Sequence, residues 1–72
     1  MNIYEKVGQN IRKIRLEKGW TQELLSFEAE VNKNYISDLE RGARNPTLKI
    51  LEKIANALGV DIVDLLKEEQ AD

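Results

Sequence analysis

Four polar side chains in one short helical segment are the residues of this sequence best suited to chemical recognition. They fall opposite Ile36 and Leu39, and they are Lys33, Asn34, Ser37 and Asp38. The major groove of DNA admits one helix, and short polar side chains read the base edges there. Asn can bond bidentately to adenine, Lys can donate to guanine, and Asp can accept from cytosine. A merely solvated polar face is the alternative, and the four residues alone leave both interpretations open.

Catalytic and metal chemistry have no comparable support in the sequence. The chain contains no histidine and no cysteine, which removes the commonest general base and metal ligand together with every thiolate. Catalysis would then need carboxylates that converge in a cleft, and no such arrangement is predicted in so small a helical protein. We therefore expect no enzyme activity, no cofactor, no metal and no small-molecule ligand.

The polar segment is the second of two short helical patterns that meet at a tight turn. The first is predicted over Thr21–Ala29, because threonine is a common N-cap and Leu25 lies four residues before Ala29. The second is predicted over Lys33–Arg41 and ends at Gly42, which can take the left-handed C-cap conformation. Two helices joined by three or four residues, the second with a polar face, describe a helix-turn-helix over about residues 21–42.

Three further helices are predicted around this motif. Residues 2–18 carry Ile3, Val7, Ile11 and Ile14 at helical spacing, and Trp20 is expected to pack between the first two helices as a core anchor. Thr47 caps a fourth helix, in which we expect an inward stripe of Leu48, Leu51, Ile54, Ala55 and Leu58. Asp61 caps a fifth helix through about Lys67. The sequence thus predicts one all-α domain over residues 1–72, with a frayed acidic tail at 68–72.

Composition and charge add weaker constraints. A chain of 72 residues forms one domain with a marginal core. The longest apolar runs are too short to span a membrane and no signal-peptide pattern opens the chain, so we expect a cytoplasmic protein. The net charge is −2, yet residues 6–18 are mainly basic and residues 51–72 are mainly acidic. Such asymmetry is suggestive of contact with nucleic acid.

Many spaced positions together carry a resemblance to a known family. They are Asn10-Ile11-Arg12, Arg15, Thr21-Gln22, Leu25, Ala29, Val31, Ile36, Leu39, Glu40-Arg41-Gly42, Asn45-Pro46-Thr47-Leu48, Ile54-Ala55 and Leu58-Gly59-Val60. With these residues nearly the whole chain resembles the lambda-repressor-like, XRE-type helix-turn-helix DNA-binding domains. The resemblance implies a five-helix fold and a transcriptional regulator, prokaryotic or phage and nucleoid-associated. It also implies binding to a palindromic or pseudopalindromic double-stranded DNA operator as a homodimer.

Position on the predicted helices and the resemblance together assign roles to individual residues. DNA contacts are expected from Gln22, Asn32, Lys33, Asn34, Tyr35, Ser37, Asp38, Arg41, Arg44 and Asn45. Within this set Gln22 matches a glutamine that meets the DNA backbone. Asp38 is unusual because phosphates repel a carboxylate, so it is expected to pair with a neighbour or to exclude wrong bases. Arg15 and Glu40 match a structural ion pair between helices one and three.

Dimerisation and subtype are likewise expectations from the resemblance. Because no second domain is predicted, the dimer would use helix five and the end of helix four. Its candidate residues are Ile62, Val63 and Leu66, although Ile62 and Leu66 could equally complete the monomer core. The segment from Asn34 to Asn45 is similar to the controller proteins of restriction–modification systems, which activate and repress their own operon. Small phage repressors and antitoxin-type repressors are the alternatives.

Three residues depart from the family pattern. Glu30 stands in the turn where the family usually has glycine, which tolerates a positive φ. Leu24 and Phe27 occupy positions that are normally polar. Scattered exposed apolar side chains need no explanation, but these two could instead form a patch for a transcription component such as RNA polymerase. An adaptor that uses the same fold to bind proteins is a further alternative, in which the patch would matter and the polar face would not.

Overall fold

Four of the five helices begin directly after a side chain that caps them. The side chains of Asn2, Thr21, Asn32 and Thr47 each accept a hydrogen bond from a backbone N–H in the first turn that follows. These N–H groups have no partner within the helix, so the capping oxygen satisfies them and fixes where the helix starts. At Asn2 the cap is reciprocal, because the Glu5 side chain accepts from the Asn2 backbone N–H.

The computed structural model describes residues 1–68 and confirms the predicted all-α fold with five helices in that range. The helices are α1 (Ile3–Glu17), α2 (Gln22–Ala29), α3 (Lys33–Glu40), α4 (Leu48–Leu58) and α5 (Ile62–Leu66). Some predicted ends were one residue too long, because Thr21 is the extended N-cap of α2 and Arg41 is the C-cap of α3. Most of the predicted frayed tail, residues 69–72, lies outside the described residues.

One hydrophobic core joins the helices. It consists of Val7, Ile11, Leu25, Ala29, Val31, Ile36, Leu39, Leu51, Ile54, Ala55, Leu58 and Leu65. Trp20 packs against it and is half-buried, as expected of a core anchor. The prediction that Leu48 faces inward is wrong, since its side chain is 74% exposed, and Ile3, which belongs to the apolar pattern of α1, is 48% exposed. Each is the first residue of its helix, and its side chain lies beyond the part of the helix that packs on the core.

Gly8 allows α1 and α3 to approach each other closely. A Cβ atom built at Gly8 would overlap the carbonyl oxygen of Leu39 and lie 3.1 Å from the Glu40 Cα. Only glycine fits at such a backbone-to-backbone contact. The residue that weakens the helical pattern in the sequence therefore sets how near the end of α3 lies to α1.

The side chain of Asn10 on α1 forms hydrogen bonds to the end of α5. Its side-chain amide donates to the backbone oxygens of Leu65 at 2.9 Å and Lys67 at 2.8 Å. These carbonyls lie at the end of α5, where no further turn supplies N–H donors.

Within residues 1–68, none of the helices is both long and apolar enough to cross a membrane.

Candidate nucleic-acid interface

The turn between α2 and α3 is closed by a left-handed residue. Glu30 has φ 56° and ψ 45°, and the backbone N–H of Val31 donates to the carbonyl of Ser26 at 3.1 Å. This is the conformation for which the family favours glycine, and a non-glycine residue there costs roughly 1 kcal/mol. The glutamate does not disrupt the motif, because the side chain of Val31 is buried and anchors the turn in the core.

The inward side of α3 is held by apolar contacts and by one buried ion pair. Ile36 and Leu39 are almost fully buried. Arg15 donates to both carboxylate oxygens of Glu40, from Nε at 2.7 Å and from Nη2 at 2.9 Å. Two parallel N–H···O bonds define angle as well as distance. The pair therefore fixes how the end of α3 is oriented relative to α1.

The ion pair is extended by two further hydrogen bonds. Arg15 Nη1 donates to the carbonyl oxygen of Trp20 at 2.8 Å, and Gln22 Nε2 donates to Glu40 Oε1 at 3.1 Å. The hydrogen bond to Glu40 raises the pKa of the Arg15 guanidinium above its ordinary value, so Arg15 stays protonated. Gln22, expected at the DNA backbone, thus also touches the ion pair beneath α3. The sequence does not predict that Gln22 and Trp20 bond to this pair, since the residues meet only in the folded protein.

Lys33 and Asn34 project from the first turn of α3. Both are exposed, and Lys33 Nζ lies 3.9 Å from a carboxylate oxygen of Glu23. Asn32 caps the helix, because its Oδ1 accepts from the N–H groups of Asn34 at 2.7 Å and Tyr35 at 3.3 Å. The cap occupies the side-chain oxygen of Asn32 and leaves its amide donors. The main role of the Asn32 side chain is therefore to fix where α3 begins.

A charged cluster forms at the other end of the outward face. Asp38 Oδ1 accepts from Arg41 Nη2 at 2.6 Å, and Asp38 Oδ2 accepts from Arg44 Nε at 3.3 Å. The Arg44 guanidinium also lies over the Tyr35 ring, 4.8 Å from its centroid. Of the two outcomes expected for Asp38, pairing with neighbours is what the structure shows.

The remaining predicted residues lie near the two ends of the interface or away from it. Ser37 is half-buried on α3 between Asn34 and the charged cluster, and Asn45 is exposed in the loop before α4. The three residues predicted for a dimer surface all belong to α5, which packs against α1 and α4. Ile62 is half-buried against the core, whereas Val63 is 62% exposed and Leu66 is 37% exposed.

Two short helices, a tight left-handed turn and a polar second helix define a helix-turn-helix module. A family model described as helix-turn-helix matches residues 11–65, which is more than half of the chain. The chain belongs to the helix-turn-helix family of the lambda-repressor-like type.

Similar proteins include controller proteins of restriction–modification systems. The control protein C.BamHI of Bacillus amyloliquefaciens is 52% identical over 66 residues, which cover 90% of this chain and 82% of that protein. The crystal structure of the controller protein C.AhdI from Aeromonas hydrophila matches with a TM-score of 0.84 and 37% identity, over 86% of this chain and 94% of that one. C.Esp1396I, solved bound to a 25 base pair operator site, matches with a TM-score of 0.81 and 45% identity, over 90% and 86% of the two chains.

Proposed function

We propose that this protein is a sequence-specific transcriptional regulator that places α3 in the major groove of an operator. The observation that carries the proposal is the two-sided character of α3. Its inner side is fixed by Ile36, Leu39 and the buried Glu40, while Lys33 and Asn34 stand exposed at its start. A rigid helix that presents hydrogen-bonding side chains at its N-terminal end is what base recognition requires. The similarity to C.Esp1396I, which was solved on an operator, supports this assignment.

The contacts divide by chemistry into base and backbone contacts. Lys33, Asn34 and Ser37 are assigned to base edges, because they lie on α3 and carry donors or acceptors. Gln22 is assigned to the DNA backbone, since it opens α2, where free N–H groups and the helix dipole favour an anion. Tyr35, Arg41, Arg44 and Asn45 flank the groove and hold phosphates or reach the minor groove. The Asn32 amide can add a backbone contact beside them.

We propose that the protein binds as a homodimer, because one recognition helix supplies little sequence information. Phosphate contacts give affinity without sequence information, and a single helix reads only a few base pairs. Two subunits related by a two-fold axis place their helices in successive major grooves about 34 Å apart. We assign the dimer surface to α5, because Val63 and Leu66 are apolar and exposed there. Ile62 lies beside them but also packs on the core.

Among regulators, a restriction–modification controller that regulates its own operon is the subtype we favour. The identity to control protein C.BamHI, 52%, exceeds that to the immunity repressor of Bacillus phage phi105, 42%. The phage-type and antitoxin-type alternatives predict different neighbouring genes. Binding of the protein to the DNA upstream of its own gene, with restriction and methylation genes adjacent, would support the controller assignment. Such a regulator would act in the cytoplasm, on the nucleoid.

Leu24 and Phe27 favour a protein partner in addition to DNA, and we propose RNA polymerase. They are 38% and 75% exposed on α2, three residues apart on one face. Changing both to glutamine should abolish activation of transcription while operator affinity stays unchanged. Leu48→Gln is the control, since Leu48 is equally apolar and 74% exposed but lies on α4. If the double variant also keeps full activation, this surface is not the polymerase contact. If the protein were only an adaptor, DNA preference would be absent from the start.

The decisive test of the DNA-binding surface is Lys33→Ala combined with Asn34→Ala. Fluorescence anisotropy with the operator and with a scrambled duplex should show that preference for the operator is lost. Helical content by circular dichroism should be unchanged, because both side chains are exposed. Lys53→Ala removes one exposed lysine from α4 and should keep the preference. A double variant that still distinguishes the two duplexes would contradict the proposed role of α3.

A further inference from the structure

Asp38 stands where a carboxylate is unfavourable for two reasons. It lies in the last turn of α3, where the helix dipole disfavours a negative charge. On the proposed DNA complex it would also face phosphates, which repel it. Its side chain caps neither end of α3, since Asn32 is the N-cap and Arg41 is the C-cap. The side chain is only 28% exposed, so the structure holds it in place rather than leaving it to solvent.

Both oxygens of Asp38 are engaged by arginines that leave the end of α3. Arg41, the C-cap, donates to one oxygen at 2.6 Å, and Arg44, in the following loop, donates to the other at 3.3 Å. Arg44 is held from a second side by the ring of Tyr35, 4.8 Å from its guanidinium. A guanidinium has five N–H donors. These bonds use Nη2 of Arg41 and Nε of Arg44, so each arginine keeps donors for another partner.

We infer that Asp38 is a positioning residue for DNA specificity: it holds Arg41 and Arg44 in fixed conformations at the edge of the groove and cancels one of their two positive charges. The inference rests on the proposed DNA-binding function. It assigns to Asp38 an action through the arginines, in place of direct acceptance from a cytosine.

Loss of the carboxylate should affect binding to wrong sequences more than binding to the operator. Two released arginines, 64% and 50% exposed, can turn to any phosphate, and such contacts are independent of sequence. Their N–H groups are at the same time no longer preset for the operator. Exposed ion pairs contribute little to folding, so Asp38→Asn should remain folded.

The experiment compares Asp38→Asn with the wild type on two duplexes over a range of salt concentrations. The duplexes are one selected from a random pool by the wild type and one scrambled version of equal length and composition. The ratio of the two affinities should fall roughly tenfold, which is the scale of the cost of one mismatched base pair in a binding site. The slope of log affinity against log salt should steepen by about 0.9 for each arginine that gains a phosphate.

Two further variants separate the causes. Glu52→Gln removes the same charge from an exposed i,i+3 pair with Lys49 on α4, and it should leave the affinity ratio unchanged. Asp38→Glu keeps the charge, so its salt slope should match that of the wild type. Relaxation of the arginine Nε–H groups in the free protein, measured by NMR, should show greater mobility of Arg44 in Asp38→Asn.

The outcomes distinguish this inference from the proposed function. An unchanged affinity ratio in Asp38→Asn would overturn it. A preference altered at a single base pair, with the salt slope unchanged, would also overturn it and would make Asp38 a direct reader of cytosine. If the wild type selects no sequence at all, the proposed function fails and the role in DNA specificity fails with it. The NMR measurement then tests only whether Asp38 holds Arg44, and unchanged mobility of Arg44 would overturn that part as well.

Discussion

Removal of one partner of the buried Arg15–Glu40 pair should destabilise the domain severely. The side chains are 9% and 3% exposed, so the remaining charge would be buried without its counter-ion, which costs about 3–5 kcal/mol. The cost of Arg15→Met should lie near the lower limit of this range, because Glu40 would keep its hydrogen bond from Gln22 at 3.1 Å. A chain of 72 residues has a free energy of unfolding of about 4–11 kcal/mol at typical values per residue.

The expected loss is therefore a large fraction of the total stability. It corresponds to a fall in Tm of roughly 12 to 40 °C for a domain of this size. Urea unfolding followed by circular dichroism measures it directly, provided that the m-value is unchanged. Glu52→Gln is the control for an exposed pair, since Glu52 lies 3.8 Å from Lys49 at the surface, and it should cost less than about 1 kcal/mol.

A double variant completes the test of the pair. Arg15→Met with Glu40→Leu removes both charges and should recover most of the stability, because apolar residues can replace a buried ion pair at little loss. The double variant should nevertheless bind the operator less selectively, since the bidentate bonds no longer orient α3. If Arg15→Met costs no more than the exposed control, the pair does not determine how α1 holds α3, and this reasoning is refuted.

Three other changes test separate parts of the account. Glu30→Gly should raise the free energy of unfolding by about 0.5–1 kcal/mol, because glycine adopts the left-handed turn without strain; a lower Tm would show that the glutamate is not strained. Gly8→Ala should lower the free energy of unfolding by about 1–3 kcal/mol, because the added methyl group forces α1 away from the backbone at Leu39. An unchanged urea midpoint would contradict the close approach of α1 to α3. Val63→Asp with Leu66→Asp should leave the fold intact but convert a dimer into a monomer in sedimentation equilibrium; a dimer that persists would place the interface elsewhere.

Much of the fold could be predicted from local patterns. Thr21 and Asn32 mark where helices begin, because their side chains accept hydrogen bonds from free backbone N–H groups. Gly42 marks where a helix ends, because glycine readily adopts the left-handed conformation. The apolar periodicity identified most of the core, with errors at Ile3 and Leu48, the first residues of their helices. Periodicity states which side of a helix is apolar, but it does not state whether a neighbour extends far enough to cover the first turn.

The candidate site was predictable to the level of residues but not of contacts. Lys33 and Asn34 could be placed on the outward face from spacing alone, and the expectation that Asp38 pairs with a neighbour is met by the structure. The stacking of Arg44 on Tyr35 was not foreseen, because it joins a loop to a helix. The bond from Gln22 to Glu40 was missed for the same reason: it connects two helices whose angle the sequence does not specify.

Selection of bound duplexes from a random DNA pool tests the central claim most directly. A dimeric operator-binding protein should select a palindromic consensus with two half-sites one helical turn apart, about 34 Å, and its binding should weaken steeply as salt is raised. Binding by the Lys33→Ala, Asn34→Ala variant should no longer follow this consensus. A pool that shows no enriched sequence, or binding that responds to salt without any preference, would contradict the assignment of a sequence-specific operator-binding protein.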